Sequence, residues 1–368
     1  MKQRIRNWLL NGLMLGVALV IGFALTETAV RFLAPQPTGL SHQDRYGLVM
    51  HWPNITRHLP QFGHDVSFNA DGMRDRQHQL EKPAGTYRVL VLGDSFMEAL
   101  QVPFETSLPS LVERGLAERT GRPVEVINGA TSGWGTDDQL RYYTEYAAKY
   151  KPDLILVAMT LHNDISDNLR EDWHRMQDGA LVVQAREPKS FWEYKKVQLK
   201  AFIATRFQTY TLWRKVRHRR EMRDTGQQLN RHIVELFHEP PAEHIARGYD
   251  MTEQLLGKLQ AVAGPETRLA LLLLPLQVQL TDSAFADFVR RADVPPGSMP
   301  MDRPQRLLTE SAGRLGIPVI DLLPGFRAWT AAGREALYID WDGHWYPAGH
   351  QLAADVAVEG LLNAGVTP

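Results

Sequence analysis

A parallel β-sheet packed between helices, an α/β fold, is what this sequence predicts, and two observations predict it. Short apolar runs at Tyr87–Leu92, Val124–Ile127, Asp153–Met159, Arg268–Leu274 and Ile317–Leu322 read as buried strands. Helical patterns alternate with them at Ser107–Thr120, Asp137–Tyr150, Tyr249–Val262, Pro304–Leu315 and Ala348–Leu362. Strands and helices in alternation build βαβ units, whose sheet is covered by helices on both faces. No internal repeat is present.

From the N-terminus, Trp8–Thr26 is a run of about 19 mostly apolar residues, close to the length that crosses a bilayer core. Lys2, Arg4 and Arg6 precede it, which predicts a cytoplasmic N-terminus and export of the chain beyond Glu27. A cleavable signal peptide is the rival reading. No small-x-small cleavage site stands between Phe23 and Pro35, so residues 1–34 are expected to stay as an anchor. Residues 35–85, rich in Pro, Gly, His and polar side chains, read as a connector packing on the domain edge. Within it Asn69-Ala70-Asp71-Gly72-Met73-Arg74 has turn chemistry.

Residues 86–368 form the main domain, with a helical insertion at about 165–245. Between 195 and 223 that insertion is basic, with Lys195, Lys196, Lys200, Arg206, Arg214, Lys215, Arg217, Arg219, Arg220 and Arg223. Phe202, Phe207, Tyr210 and Trp213 interleave with the cations, Trp213 near Tyr210 and Arg206 near Phe202 on a helical wheel. It reads as a lid, as a segment touching anionic membrane or anionic glycan, or as a solvated surface hairpin.

The formal net charge is −1, so no field singles out nucleic acid as a partner. The absence of cysteine excludes disulfides, a thiol nucleophile and cysteine-ligated metal sites. His162, Asp164, Asp167 and His350 show no ligand spacing, and no phosphate-binding glycine loop is present. Neither a metal nor a cofactor is expected. His350 is expected to begin or pack the last helix.

Gly93-Asp94-Ser95-Phe96 follows the first strand directly, so Ser95 sits where a strand ends and the chain turns sharply. Ligand crevices of open α/β sheets lie at the carboxyl ends of strands, and a hydroxyl lifted out there is placed as a nucleophile. The same tetrapeptide is also ordinary turn chemistry, with Asp94 or Ser95 capping the next helix. Asn128 to Gly135 and Leu161-His162-Asn163-Asp164 follow two further strands. Asp340-Trp341-Asp342-Gly343-His344-Trp345 supplies an imidazole and two carboxylates. Residues i and i+2 of an extended segment share a side, so Asp342 is the expected partner of His344. Asp340 is the alternative acid and would need a helical turn.

These four segments, in this order, resemble the four blocks of the SGNH (GDSL-type) esterase and lipase superfamily. The resemblance implies a three-layer, flavodoxin-like domain with Ser95 as nucleophile, His344 as general base and Asp342 orienting it. Gly133 and Asn163 would complete an oxyanion hole with the Ser95 N–H. Two departures stand out: the third block begins with Leu161 where the family usually has Gly. In the last, Asp342 and His344 are one residue apart instead of two. Anchored members often carry an Asn-x-x-Gly-x-Arg lead-in like that at 69–74. The implied protein is a bacterial inner-membrane enzyme with a periplasmic domain. It would hydrolyse or transfer an acyl group, most plausibly acetyl, on an envelope or exported carbohydrate. The alternatives are a lipase- or thioesterase-like enzyme and a non-catalytic envelope scaffold binding anionic glycan.

Overall fold

Five of the apolar runs become the strands of one parallel sheet. The structure, a computed structural model, describes residues 2–36, 39–161, 163–184, 187–217, 233–292 and 299–367. It begins with one long helix, α1 (Lys2–Leu33), followed by two small antiparallel pairs, β1 (Ser41–Gln43) with β2 (Val49–His51) and β3 (Ile55–Leu59) with β4 (His64–Phe68). Then come β5 (Tyr87–Gly93), α2 (Ser95–Glu98), α3 (Leu108–Thr120), β6 (Val124–Ala130), α4 (Thr136–Tyr142), β7 (Leu154–Thr160) and α5 (Asp164–Asn168). A hairpin of β8 (His174–Gln177) and β9 (Ala180–Val183) leads into α6 (Phe191–Arg206) and α7 (208–217). The chain ends with α8 (Glu243–Ala263), β10 (Arg268–Leu274), α9 (Asp282–Ala292), α10 (Arg303–Arg314), β11 (Val319–Asp321), α11 (Leu323–Ala331) and α12 (Pro347–Asn363).

The sheet order is β11-β10-β7-β5-β6, all parallel. Side chains alternate across a strand, so each apolar run feeds two cores. Leu90, Leu92, Ile155, Val157, Leu271 and Leu273 face α8 and α10. Val89, Val91, Leu154, Leu156 and Leu272 face α3 and α12. This is the three-layer arrangement the sequence predicts. From β5 the chain crosses first to β6 on one side and then to β7 on the other. The order therefore reverses at β5, and a crevice opens beyond the carboxyl ends of strands at such a point.

β6 is an edge strand, and its outward amides are answered by side chains. Val126 N donates to Glu113 Oε2 at 2.7 Å and Asn128 N to Asp75 Oδ2 at 2.8 Å. Asp75 also faces His78 Nε2 at 2.9 Å, and His78 Nδ1 faces Glu125 Oε1 at 2.7 Å. Arg88 is wholly buried. Its Nε donates to Glu125 Oε2 at 2.6 Å, and its other nitrogens donate to the carbonyls of Gln79, Leu80 and Tyr150. The segment before β5 is thus tied to the sheet by polar groups shielded from water.

The structure departs from the sequence reading in four places. β6 runs on to Ala130, because Asn128, Gly129 and Ala130 keep register with Val91, Leu92 and Gly93. The predicted helix over 137–150 starts at Thr136 and stays α-helical only to Tyr142, then widens to a π turn and tightens to a 3₁₀ turn ending at Lys151, whose φ is +49°. The stretch read as a helical insertion contains the β8–β9 hairpin. The sequence patterns do not predict α9, α11 or the small strand pairs, nor the six residues by which α8 begins earlier, at Glu243. Arg219, Arg220, Arg223 and His162 lie outside the described residues.

Arg88→Met leaves Glu125 and three carbonyls without their donor, and removing one member of a buried pair costs about 3–5 kcal/mol. Arg76→Ala, in a half-exposed pair with Glu113, is expected to cost at most about 1 kcal/mol. Urea unfolding of the two variants measures the difference.

Candidate active site

The site starts from a strand end that admits only glycine: a Cβ on Gly93 would lie 2.5 Å from Met97 Cγ. Asp94 follows, fully buried, and three donors meet its carboxylate. They are Phe96 N at 3.0 Å, Thr160 Oγ1 at 3.0 Å and Asn163 Nδ2 at 3.1 Å. Asp94 is thus the N-cap of α2 and also the tie between the loops after β5 and β7. Capping and presentation of Ser95 coexist, because the carboxylate caps and leaves the Ser95 hydroxyl free to point outward.

Ser95 Oγ lies 2.7 Å from His344 Nε2, and His344 Nδ1 lies 2.6 Å from Asp342 Oδ1. A carboxylate only accepts, so Nδ1–H donates to Asp342 and Nε2 accepts from the serine hydroxyl. The local backbone differs from the expected extended form. Gly343 stands at φ +85°, and the amides of Asp342 and Gly343 both donate to the Ile339 carbonyl, at 3.1 and 2.7 Å. The contact is made across a tight turn, where a residue without a Cβ takes the left-handed conformation at no steric cost. The His344 ring packs on Phe96 at 4.7 Å between centroids. Asp340 is exposed and makes no hydrogen bond to the imidazole. His350 is buried near the start of α12, where its Nδ1 accepts from Leu108 N at 3.3 Å. Burial, with Arg74 and His344 nearby, pushes its pKa down to about 3.

The loop after β6 reaches the same end of the sheet. Gly133 is exposed with φ +81°, and its carbonyl accepts from Arg170 at 3.0 Å. Asn163 turns its amide to Asp94, so that group is held within the polar cluster after β7. Burial pushes Asp167 up to about 6 and Asp164 well above the usual carboxylate range.

Two buried groups that hold α2 went unassigned in the sequence. Glu98 is fully buried and accepts from Ser132 N at 2.6 Å and from the Ser132 hydroxyl, while its other oxygen faces His51 Nε2 at 3.0 Å. Burial alone would raise its pKa, but the His51 charge and the donors outweigh that and hold it below the usual range. Arg74 donates to the carbonyls of Glu98 at 2.7 Å, of Ala99, and of Val102 at 2.5 Å. It therefore satisfies the end of the helix that Ser95 begins. Burial pushes its own pKa down to about 10. The turn before Arg74 is built by Asn69, whose Oδ1 accepts from Asp71 N and Met73 N, and by Gly72 at φ +74°. The signals were legible: an acid inside the buried run Phe96-Met97-Glu98-Ala99, and an arginine closing a turn motif.

Between Phe96 and Gly343 opens a cleft of about 560 Å³, with Leu276, Val278 and Phe288 in its walls and Asp340 and Arg291 also lining it. Its walls border Ser95 and His344 in sequence, through Phe96 and Gly343, without including either, and a second cavity of about 620 Å³ between Arg114, Trp329 and Tyr346 also includes neither. Among the described residues no group of three or more His, Cys, Asp or Glu could hold a metal ion.

No family model matches the chain. An arylesterase of Vibrio mimicus is 35% identical over 115 residues, 28% of this chain and 57% of the relative. The match therefore spans little more than half of that protein's length. Three solved structures are more distant. TesA is 14% identical with a TM-score of 0.41, covering 75% of this chain and 99% of that one. An acetylxylan esterase from Geobacillus stearothermophilus is 12% identical with a TM-score of 0.40, over 75% and 94%. A lipase from a goat rumen metagenome is 16% identical with a TM-score of 0.43, over 76% and 98%. The four blocks stand in order along the chain, three of them at the ends of β5, β6 and β7 and the fourth between α11 and α12, an order that resembles that of the SGNH hydrolases.

Proposed function

We propose that this chain is a serine esterase or O-acyltransferase that works through an acyl-Ser95 intermediate. One observation carries the reading: the Ser95 hydroxyl lies 2.7 Å from an imidazole whose other nitrogen is 2.6 Å from a carboxylate. As Ser95 Oγ attacks the ester carbonyl, His344 Nε2 takes its proton, and Asp342 stabilises and aims the imidazolium. The oxyanion takes hydrogen bonds from the Ser95 N–H, from the Gly133 loop and from Asn163, donors worth about 3 kcal/mol each. To serve, the Asn163 amide turns from Asp94 toward the substrate. Collapse breaks the ester C–O bond, and His344 returns the proton to the leaving alcohol. Water or a sugar hydroxyl then attacks the acyl-serine, with His344 taking and returning a proton again.

Ester chemistry is supported by the partial match to a protein named an arylesterase. The substrate we propose is an acetylated carbohydrate of the envelope, met by a domain that α1 tethers on the periplasmic side of a bacterial inner membrane. In this reading residues 8–26 cross the bilayer, the cationic residues before them stay cytoplasmic, and the anchor is retained. The basic segment contacts an anionic surface, membrane or glycan. The apolar walls given by Leu276, Val278 and Phe288 favour a second reading, a lipase- or thioesterase-like enzyme with a longer acyl chain. A scaffold that only binds glycan would neither label nor turn over.

Wild-type protein is expected to hydrolyse a chromogenic acetyl ester and to take up a fluorophosphonate, and Ser95→Ala to lose both. Asp342→Asn should lower kcat by about 10⁴-fold and Asp340→Asn far less; equal losses overturn the assignment of the acid. With a labelled acetyl donor and candidate glycans, label in solvent means an esterase and label retained on sugar means a transferase. Arg74→Met should cost about 1–3 kcal/mol of stability through carbonyls left unsatisfied and lower kcat more than it raises KM. Thermal melts and steady-state kinetics together check this.

A further inference from the structure

We propose that α6 and α7 form a membrane-interfacial elbow, clamped to the exit end of α1 and laid on the headgroups of an anionic bilayer. The inference rests on the proposal that α1 is a retained anchor and goes beyond it. α1 has 32 residues, about 48 Å at 1.5 Å per residue, against a hydrocarbon core of about 30 Å. Its ends therefore project into the headgroup regions. Lys2, Arg4 and Arg6 mark one end, and Glu27 and Arg31 the other.

The far end does not project into empty space. Glu27 accepts from Gln208 N at 2.9 Å, Thr209 N at 2.9 Å and Thr209 Oγ1 at 2.6 Å, so a carboxylate of α1 caps the start of α7. Arg31 pairs with Glu27 at 2.9 Å and donates to the Arg206 carbonyl, the end of α6, at 2.8 Å. One turn nearer the bilayer, Phe23 meets Phe207 edge-on at 5.2 Å. The elbow at 206–209 is thereby fixed at the depth where α1 leaves the hydrocarbon.

From that elbow both helices present aromatic and cationic groups outward. Trp192, Leu199, Phe202 and Trp213 are exposed, at 73%, 58%, 48% and 53%. Beside them stand Lys195, Lys196, Lys200, Arg214, Lys215 and Arg217, against a single acid, Glu193, bonded to Ser190. Tryptophan mixed with basic residues is the composition of a bilayer interface. Local positive charge in a chain of net charge −1 complements anionic headgroups. The elbow also communicates with the site. Gly39 N donates to Ala204 O and Gln198 Nε2 to Gln43 O on β1, and the β2 residue Val49 accepts from Trp134 Nε1, next to Gly133.

The test uses the full chain in nanodiscs of phosphatidylcholine with or without phosphatidylglycerol. Because the chain has no cysteine, single substitutions Phe202→Cys, Trp213→Cys and Asp355→Cys each carry one environment-sensitive dye, with headgroup-level spin-labelled lipid as quencher. Dyes at 202 and 213 are expected to be quenched with phosphatidylglycerol and much less without it, and the dye at 355, on α12, in neither. Replacing Lys195, Lys196 and Lys200 by Gln should weaken docking by about fivefold per cation at low salt. Glu27→Gln should release the elbow and lower quenching at 213 while α1 stays in the disc. Quenching that is absent, or equal in both lipids, overturns the proposal. So does a dye response to an added anionic polysaccharide in place of phosphatidylglycerol. Intact mass separates the two failures: loss of α1 defeats the anchor reading, and a retained α1 with unquenched dyes defeats only the docking.

Discussion

A hydrogen bond between side chains 249 residues apart, from Ser95 to His344, constrains the rest of the architecture. Ser95 is set by the end of β5 and His344 by the turn before α12, so both must arrive at one rim of the sheet within a fraction of an ångström. Register supplies most of that accuracy. β5 pairs on both sides, with β6 and β7, and cannot slide by one residue without exchanging the side chains that fill the cores on its two faces. The loop of His344 is held by an isolated bridge between Tyr338 and Trp345, with Trp345 sunk completely in the core beside Phe96 and Phe326.

Around this contact the chain places charges where water does not reach. Asp94, Glu98, Arg74 and Arg88 are all buried, and each would be costly alone. Each instead meets several partners on different segments. Such networks contribute less to net stability than an apolar core of equal volume, but they fix geometry, because a partial rearrangement strands a charge. Arg74 answers the terminal carbonyls of α2, and Glu98, its last residue, holds the loop at Ser132. Helix and loop therefore move together or not at all.

Much of this was legible in the sequence, because the sheet strands are continuous apolar runs and Ser95, Gly133 and Asn163 sit in the loops where those runs end. The turn at Gly343 was not, because i, i+2 contacts arise in extended chain and in tight turns alike, and only the φ of +85° distinguishes them. The β8–β9 hairpin carried a signal that the basic residues further along overshadowed. Asp178-Gly179 lies at its tip with both φ positive, +51° and +78°, the chemistry of a two-residue hairpin turn. α9 and α11 are short and begin next to polar loop residues, so their periodicity is brief. The direction of the Asn163 amide lies beyond sequence altogether, since Asp94 competes for it.

The cover on β6 has a bearing on how the protein can be dissected. Asp75, His78 and the turn at 69–74 are not ornament on a self-sufficient domain; they close the open side of its sheet. A fragment beginning at residue 86 would retain Ser95, His344 and Asp342 while leaving the Asn128 N–H without its Asp75 partner. Unpaired strand amides recruit other strands, so such a fragment would self-associate through that border, and a soluble form needs the lead-in retained with the domain.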